Sequence, residues 1–299
     1  MSRDLSIFKD DKGSSVRITG FDCFNLKSTL YCGQAFRWKH VDGIEEAVVK
    51  GRLLRLEQVE DTIIIHPPVD DTTIDIVVDY LRLCDNHSYI EDELKGIDDI
   101  MANAVSYSSG LRLLRQDSFE CLISYIISAN NSIPLISRAV NLLSERFGRK
   151  IEFGGRVYHT FPTPKDMGSA TGEDIFACKT GFRAPYIHKA VERILSGEID
   201  LVSIADMEYL MAKKELLNIL GVGDKVADCV LLFSMDKLSA FPVDVWVDRI
   251  VRNLYFDGKK MSKKDVRQWG ENKFGKFSGY AQEYLFTYAR EVRPEVLGK

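Results

Sequence analysis

Lys225 is the residue whose type and placement most directly suggest covalent chemistry. It stands in Leu216-Leu217-Asn218-Ile219-Leu220-Gly221-Val222-Gly223-Asp224-Lys225-Val226-Ala227-Asp228-Cys229, where one helical pattern ends, Gly221-Val222-Gly223 turns, and another helix begins at once. Glycines accept dihedrals that side chains disfavour and leave backbone amides uncovered. Beside the positive end of the following helix, such amides form a cradle for a phosphate. Lys225 falls in the first turn of that helix, where the dipole disfavours an ammonium, and an amine freed of its proton can attack carbon to form an imine. The plainer reading is an ordinary helix-to-helix turn with a surface lysine. The turn's carbonyls could also ligate a monovalent cation.

A partner for the lysine lies in Phe241-Pro242-Val243-Asp244-Val245-Trp246. Proline fixes the approach, and Asp244 falls where its carboxylate caps the next helix. A carboxylate facing the turn can also stabilise positive charge on a sugar and assist deprotonation of a nucleophile. Capping alone would account for the residue; both roles are expected, because capping bonds keep the carboxylate ionised and aimed.

These segments need elements to hold them. β-rich runs at Glu46–Lys50, Arg52–Gln58 and Thr62–His66, separated by Gly51 and by Glu60-Asp61, predict an antiparallel sheet. Pro67-Pro68 stops the last run, and Asp71-Thr72-Thr73 introduces a capped helix through Leu81. From about residue 97 the pattern is helical, with helices expected at Phe119–Ala129, Ile133–Phe147, Arg183–Leu195, Met207–Leu217, Lys225–Ser234, Asp244–Asn253, Lys263–Trp269 and Gly279–Ala289. Gly148 is expected to take a left-handed cap, and Gly148–Phe161 to form a hairpin-like insertion. The stretch 96–112 reads as a link. The expectation is an α+β fold: an N-terminal antiparallel sheet domain over 1–110, then a mostly helical two-part core over 111–299, with a helix-hairpin-helix at about 213–235.

Composition permits this and excludes little else. The chain has 299 residues, 45% of them hydrophobic, enough to bury one large core or two ordinary ones. No apolar run approaches the roughly 18 residues of a membrane span, so a location in the cytoplasm, at the nucleoid when acting, is expected. Six cysteines without a C-x-x-C pair argue against a disulfide framework or a cysteine-only metal site. The net charge of −4 is uneven: residues 1–110 hold twelve basic and twenty acidic side chains, a sum of −8, and the rest sum to +4. Phosphate contacts should therefore come from the later part, though a solvated asymmetric surface fits the same numbers. Lys259, Lys260, Lys263, Lys264 and Arg267 invite the same two readings.

With these residues in hand, the chain resembles the 8-oxoguanine DNA glycosylase branch of the helix-hairpin-helix glycosylase superfamily, in particular its bacterial members. The resemblance runs through five islands in the same order: Gly33-Gln34-Ala35-Phe36-Arg37-Trp38, Leu114-Arg115-Gln116-Asp117 through Asn130-Asn131, Gly221 through Cys229, Phe241 through Val245, and Gly279-Tyr280-Ala281-Gln282 through Phe286. It implies excision of 8-oxoguanine from duplex DNA, followed by strand cleavage through β-elimination. Lys225 matches the lysine that attacks the sugar C1′ and is left as a Schiff base, and Asp244 the essential aspartate. Gly33 matches the glycine whose carbonyl accepts the N7 proton that guanine lacks. Cys229 and Phe286 match the residues that sandwich the flipped base, and Gln282 the reader of its Watson–Crick edge. Asn130, at a helix end, matches the asparagine that fills the vacated stack.

A buried acceptor left unpaired by guanine costs on the order of 1–3 kcal/mol, roughly ten- to hundredfold in discrimination. The resemblance implies no required cofactor, no iron–sulfur cluster and action as a monomer, with a structural monovalent cation at the hairpin as the one metal to consider.

Departures from the pattern matter. Arg183 matches one cytosine-reading arginine, but Leu135 stands where a second would be and Phe182 replaces a tyrosine wedge. Leucine forms no charge-assisted bond to a base edge, so a weaker preference for cytosine opposite the lesion is expected. Trp246, counted with the base pocket, stands where many relatives have histidine; it can stack or donate but cannot titrate. Ala289 occupies a position resembling an aspartate of the base pocket. Two alternatives stay open: a glycosylase of other specificity, such as alkylated purines, and a noncatalytic module whose hairpin only grips phosphate.

Overall fold

The computed structural model describes residues 5–10 and 15–297. A six-stranded antiparallel sheet comes first, from β1 (Ser6–Lys9), β2 (Val16–Thr19), β3 (Lys39–Val41), β4 (Ile44–Val49), β5 (Arg52–Val59) and β6 (Thr62–Ile65), in the order β1-β2-β6-β5-β4-β3. The three runs expected from sequence are β4, β5 and β6. Lys50 and Gly51, both at positive φ, make the tight turn between β4 and β5. A helix, α1 (Leu26–Tyr31), lies between β2 and β3.

Leu54, Leu56, Ile63 and Ile65 are wholly buried on one sheet face, under Ile74, Val77 and Tyr80 of α2 (Asp71–Tyr80). Asp70 starts that helix by accepting the Thr73 amide at 2.8 Å. Burying each such leucine or isoleucine stabilises the fold by about 1.5–3 kcal/mol.

The helical part begins earlier than its sequence pattern suggests, with α3 (His87–Lys95) and α4 (Asp99–Tyr107). The latter fills most of the stretch read as a link, because Asp98 caps it through the Met101 amide at 2.8 Å and Met101, Ala104 and Val105 bury one face. Then come α5 (Ser118–Ser128) and α6 (Ile133–Phe147), a hairpin of β7 (Lys150–Phe153) and β8 (Arg156–His159), and α7 (Gly172–Ile175). The chain closes with α8 (Ala184–Leu195), α9 (Leu201–Asp206), α10 (Tyr209–Leu217), α11 (Asp224–Ser234), α12 (Val245–Tyr255), α13 (Lys263–Phe274) and α14 (Ser278–Glu291).

Gly148 differs from expectation: its φ is −77, not left-handed, and glycine is needed because a Cβ would fall 1.9 Å from the Thr160 carbonyl oxygen.

Two apolar clusters result, and they interleave along the chain. Cys32 and Phe36 pack into the helical cluster with α3 and α4, whereas Leu114 packs into the sheet cluster. Phe119 and Cys121 through Ile127 of α5 are buried, which makes this helix the axis of the larger cluster. It packs on α11, and α14 approaches α11 so closely that a Cβ at Gly279 would lie 2.1 Å from Leu232 Cδ1.

Buried polar groups stitch the two parts. The Gln34 amide donates to the carbonyls of Thr29 and Arg112 and accepts the Leu114 amide, each at 2.8 Å. Arg112, wholly buried, donates to the carbonyls of Arg82, Asp22 and Cys23.

Candidate active site

The hairpin is formed by α10, the turn Gly221-Val222-Gly223 and α11. Its glycines answer different needs. Gly221 has φ +86, and a Cβ there would lie 2.6 Å from Tyr186 of α8, so only glycine fits. Gly223 has φ −100, and a Cβ there would meet nothing within 4 Å. Its surroundings are open, and it caps α11 without any side-chain hydrogen bond, leaving the first-turn amides uncovered by a capping group. The two helices are clamped by Lys213 and the fully buried Asp228, 2.7 Å apart, with the Tyr209 hydroxyl donating to Asp228 at 2.8 Å. Burial outweighs the pull of Lys213 and pushes the Asp228 carboxyl up to about 6.

Lys225 and Asp244 both line a cleft of about 70 Å³, together with Gly33, Cys229, Gln282 and Phe286. Six residues from four separate segments thus meet in one place. The Lys225 ammonium donates to the Ser128 hydroxyl at 2.9 Å and sits 4.8 Å from the centroid of the Tyr125 ring. Asp244 is the N-cap of α12, one oxygen accepting the amides of Trp246 and Val247 at 2.8 Å each. The capping bonds therefore aim the carboxylate, as expected. Burial pushes the Cys229 thiol up to about 12 in spite of Lys225, so it presents a neutral face.

Gly33 has φ +119, which favours glycine whatever the space around it. Gln34 pins one side of it, and Arg290 pins the other by donating to the Cys32 carbonyl at 2.9 Å. The Gly33 carbonyl accepts no hydrogen bond among the described residues. A Cβ at Gly33 would stand 3.7 Å from Phe286, so the loop and the ring face each other.

The remaining candidates lie on a neighbouring surface. Asn130 is exposed at φ +50, just past the end of α5. Arg183 is 7% exposed and its guanidinium is committed within the chain, to the carbonyls of Ala129, Asn130 and Thr180. It braces the segment that carries Asn130, and it stacks on the exposed Phe182 ring at 4.3 Å. Leu135 is 55% exposed on the first turn of α6. Trp246 does not join the cleft; its half-buried ring lies against Arg249. Four of the basic cluster, Lys259, Lys260, Lys263 and Lys264, are exposed, whereas Arg267 pairs with Asp224 at 2.8 Å.

Sequence reasoning missed Ser128, Tyr125, Cys32 and Glu283. Tyr125 and Ser128 are one helical turn apart on the same face of α5 and just precede Asn130, a spacing that could have drawn attention. Glu283 follows Gln282 in a helix buried along most of its length, which is the signal for a buried acid.

One group with metal-ligand chemistry occurs among the described residues, Cys23, His87 and Glu91, with candidate atoms within 4.8 Å. Glu91 already accepts from Ser109, the Gly110 amide, Tyr284 and Lys95, so hydrogen bonds satisfy it.

Comparison with known proteins matches this architecture. Residues 17–122 match the family described as 8-oxoguanine DNA glycosylase, N-terminal domain, and residues 123–276 match the HhH-GPD superfamily base excision DNA repair proteins. The "Probable N-glycosylase/DNA lyase" of Methanothermobacter thermautotrophicus is 33% identical over 89% of this chain and 94% of its own. The Arabidopsis thaliana N-glycosylase/DNA lyase OGG1 is 30% identical over 87% of this chain and 76% of its own. Clostridium acetobutylicum 8-oxoguanine glycosylase/lyase, in complex with double-stranded DNA containing cytosine opposite 8-oxoG, superposes with a TM-score of 0.91 at 38% identity, over 97% of this chain and 99% of that one.

Proposed function

The chain belongs to the HhH-GPD superfamily of base excision DNA repair proteins, in its N-glycosylase/DNA lyase branch, and we propose that it excises 8-oxoguanine from duplex DNA through Lys225 and then cleaves the strand. The observation that carries the reading is the convergence of Lys225, Asp244, Gly33, Cys229, Gln282 and Phe286 on one cleft.

The hairpin amides at Gly223 hold a backbone phosphate, and the exposed Asn130 enters the space vacated by the lesion. Extrusion costs a few kcal/mol, which inserted side chains offset. The base lies between Phe286 and the neutral Cys229 thiol, with its N7 proton on the Gly33 carbonyl and its Watson–Crick edge on Gln282. Lys225 Nζ, as the free amine, bonds to C1′ while the glycosidic bond breaks and its electron pair leaves with the base. Asp244 offsets the positive charge that develops on the sugar. Ring opening gives an iminium, which acidifies the C2′ proton; loss of that proton expels the 3′ phosphate by β-elimination.

The site is complete within one chain, which supports action as a monomer. A monovalent cation at the hairpin would have the turn's carbonyls as ligands; the Asn218 carbonyl just before the turn is already taken by Arg193 at 2.7 Å. No step runs through it.

Discrimination at the opposite base should be weak. Leu135 and Phe182 are exposed, and Arg183, which braces the Asn130 segment, spends its donors on carbonyls of its own chain. Excision rates on duplexes carrying each of the four bases opposite 8-oxoguanine should be similar; a sharp preference for cytosine would reject this part. For the function as a whole, borohydride should trap a covalent enzyme–DNA adduct on a lesion duplex. Failure to trap any adduct, with no base released, would remove the reading.

A further inference from the structure

We propose that Glu283 is a positioning residue that fixes which end of the Gln282 carboxamide faces the lesion, so that the pocket reads a guanine-type edge. The inference rests on the reading that this cleft receives 8-oxoguanine. Gln282 is buried, and its side chain makes one hydrogen bond among the described residues, Nε2 to Glu283 Oε1 at 3.4 Å. The direction of its amide thus depends on Glu283. With the amine turned toward the carboxyl, the Gln282 oxygen is left for the ligand. An oxygen there accepts the N1 proton and the exocyclic amine of a guanine-type ring, whereas an adenine-type ring offers an unprotonated N1 at the same edge.

Glu283 has few partners in the fold, its hydrogen bonds being with the Gln282 amine and the Cys32 thiol. It lines the cleft at 5% exposure, and its Oε2 is buried with no hydrogen-bond partner among the described residues. A buried acceptor without a donor costs stability, so its retention in a well-packed helix face calls for a role. The charged and titratable groups around it are the Cys32 thiol on the Gly33 loop, Arg290 on its own helix, Asp244 at the start of α12, Cys229 on α11 and Tyr125 on α5. Burial pushes its carboxyl up to about 7 and Asp244 adds to the push, while Cys32, Arg290 and Gln282 oppose it.

That position supplies a readout which a purely structural role would lack. As a carboxylate, Glu283 only accepts, and Gln282 must give it the amine. As the neutral acid, it can also donate, and either direction of the Gln282 amide is then satisfied. Reading of the guanine-type edge is therefore enforced above about pH 7 and relaxed below it.

The test is single-turnover excision on duplexes containing 8-oxoguanine or 8-oxoadenine, on both sides of about pH 7, for wild type, Glu283→Gln and Gln282→Ala. Each rate is divided by the rate of borohydride trapping on an abasic duplex, which removes any general effect on the lysine chemistry. In wild type the 8-oxoguanine to 8-oxoadenine ratio should rise about tenfold with pH, the worth of one hydrogen bond. In Glu283→Gln, whose carboxamide both donates and accepts at every pH, the ratio should be low and flat. Gln282→Ala should also flatten it. A wild-type enzyme that excises 8-oxoguanine with a flat ratio, or a Glu283→Gln variant that keeps the pH step, overturns the proposal alone. A wild-type enzyme that excises no 8-oxoguanine overturns the functional reading as well.

Discussion

Lys225 donates to the Ser128 hydroxyl across 2.9 Å, which ties the amine of α11 to the last residue of α5, two positions before Asn130. The bond holds the side chain but is not part of the chemistry. Lys225→Gln should abolish the borohydride-trapped adduct while lesion DNA is still bound. Ser128→Ala removes one neutral acceptor and should change the trapping rate by less than about tenfold. Gel-resolved adduct formation measures both, and a trapped adduct in Lys225→Gln would remove the lysine from its role.

Asp244 both caps α12 and faces the cleft, and two substitutions separate these functions. Asparagine caps as well as aspartate, so Asp244→Asn should keep stability within about 1 kcal/mol while base excision falls by about 10²–10³. Asp244→Ala should lose the same activity and about 1 kcal/mol of stability besides. Denaturant melts and single-turnover rates check the pair; equal activity in wild type and Asp244→Asn would leave only the cap.

The two hairpin glycines should respond differently to alanine. Gly221→Ala drives a Cβ into Tyr186 at a positive φ and should destabilise the fold by about 1–3 kcal/mol. Gly223→Ala meets nothing within the chain. It should leave the melting temperature almost unchanged and weaken DNA binding, because the added methyl stands where the phosphate approaches. Binding isotherms at several salt concentrations would show it; unaltered affinity would place the phosphate elsewhere.

Stability should fall as pH rises from about 4.5 to about 7. Glu283 has its carboxyl raised by burial from an ordinary 4.5 to about 7, so the folded state holds a proton that the unfolded chain releases. Its favourable contribution is complete below about 4.5 and is lost as pH rises through about 7. Glu283→Gln should make this slope shallower, leaving the share due to Asp228, raised to about 6, and melt higher than wild type on the alkaline side. Thermal melts across that window decide it; parallel curves for both proteins would mean that the carboxyl is not proton-linked to folding.

Much of the site could be read in the sequence because its chemistry sits on locally encoded features. The Gly221-Val222-Gly223 turn, the Asp244 cap and the Asn130 helix end each follow from propensities within a few residues, and the structure places them so. Residues that depend on distant packing were hidden. Ser128 matters only because α5 crosses α11, and Glu283 only because the helix that carries it is buried on most sides. Trp246, counted with the base pocket because relatives carry a histidine at its position, does not line the cleft, and its ring lies against Arg249 of the same helix instead. Gly148 illustrates the limit of composition, since the same residue type served close packing rather than a left-handed turn. Helices α3 and α4 escaped for want of a long apolar stripe, both being short and the first rich in acidic residues.

The hold of Gln34 on the backbone around Gly33 has an effect on fidelity. With its amide engaged at both ends, the loop is a stiff template that has no slack to accommodate an intruder. On the proposed reading, an intact guanine turned out by chance would meet an oxygen that cannot shift to spare it the mismatch. Sorting of damaged from healthy bases would then come from the refusal of the scaffold to adapt, and loosening that one glutamine would make the enzyme less choosy without touching its reactive amine.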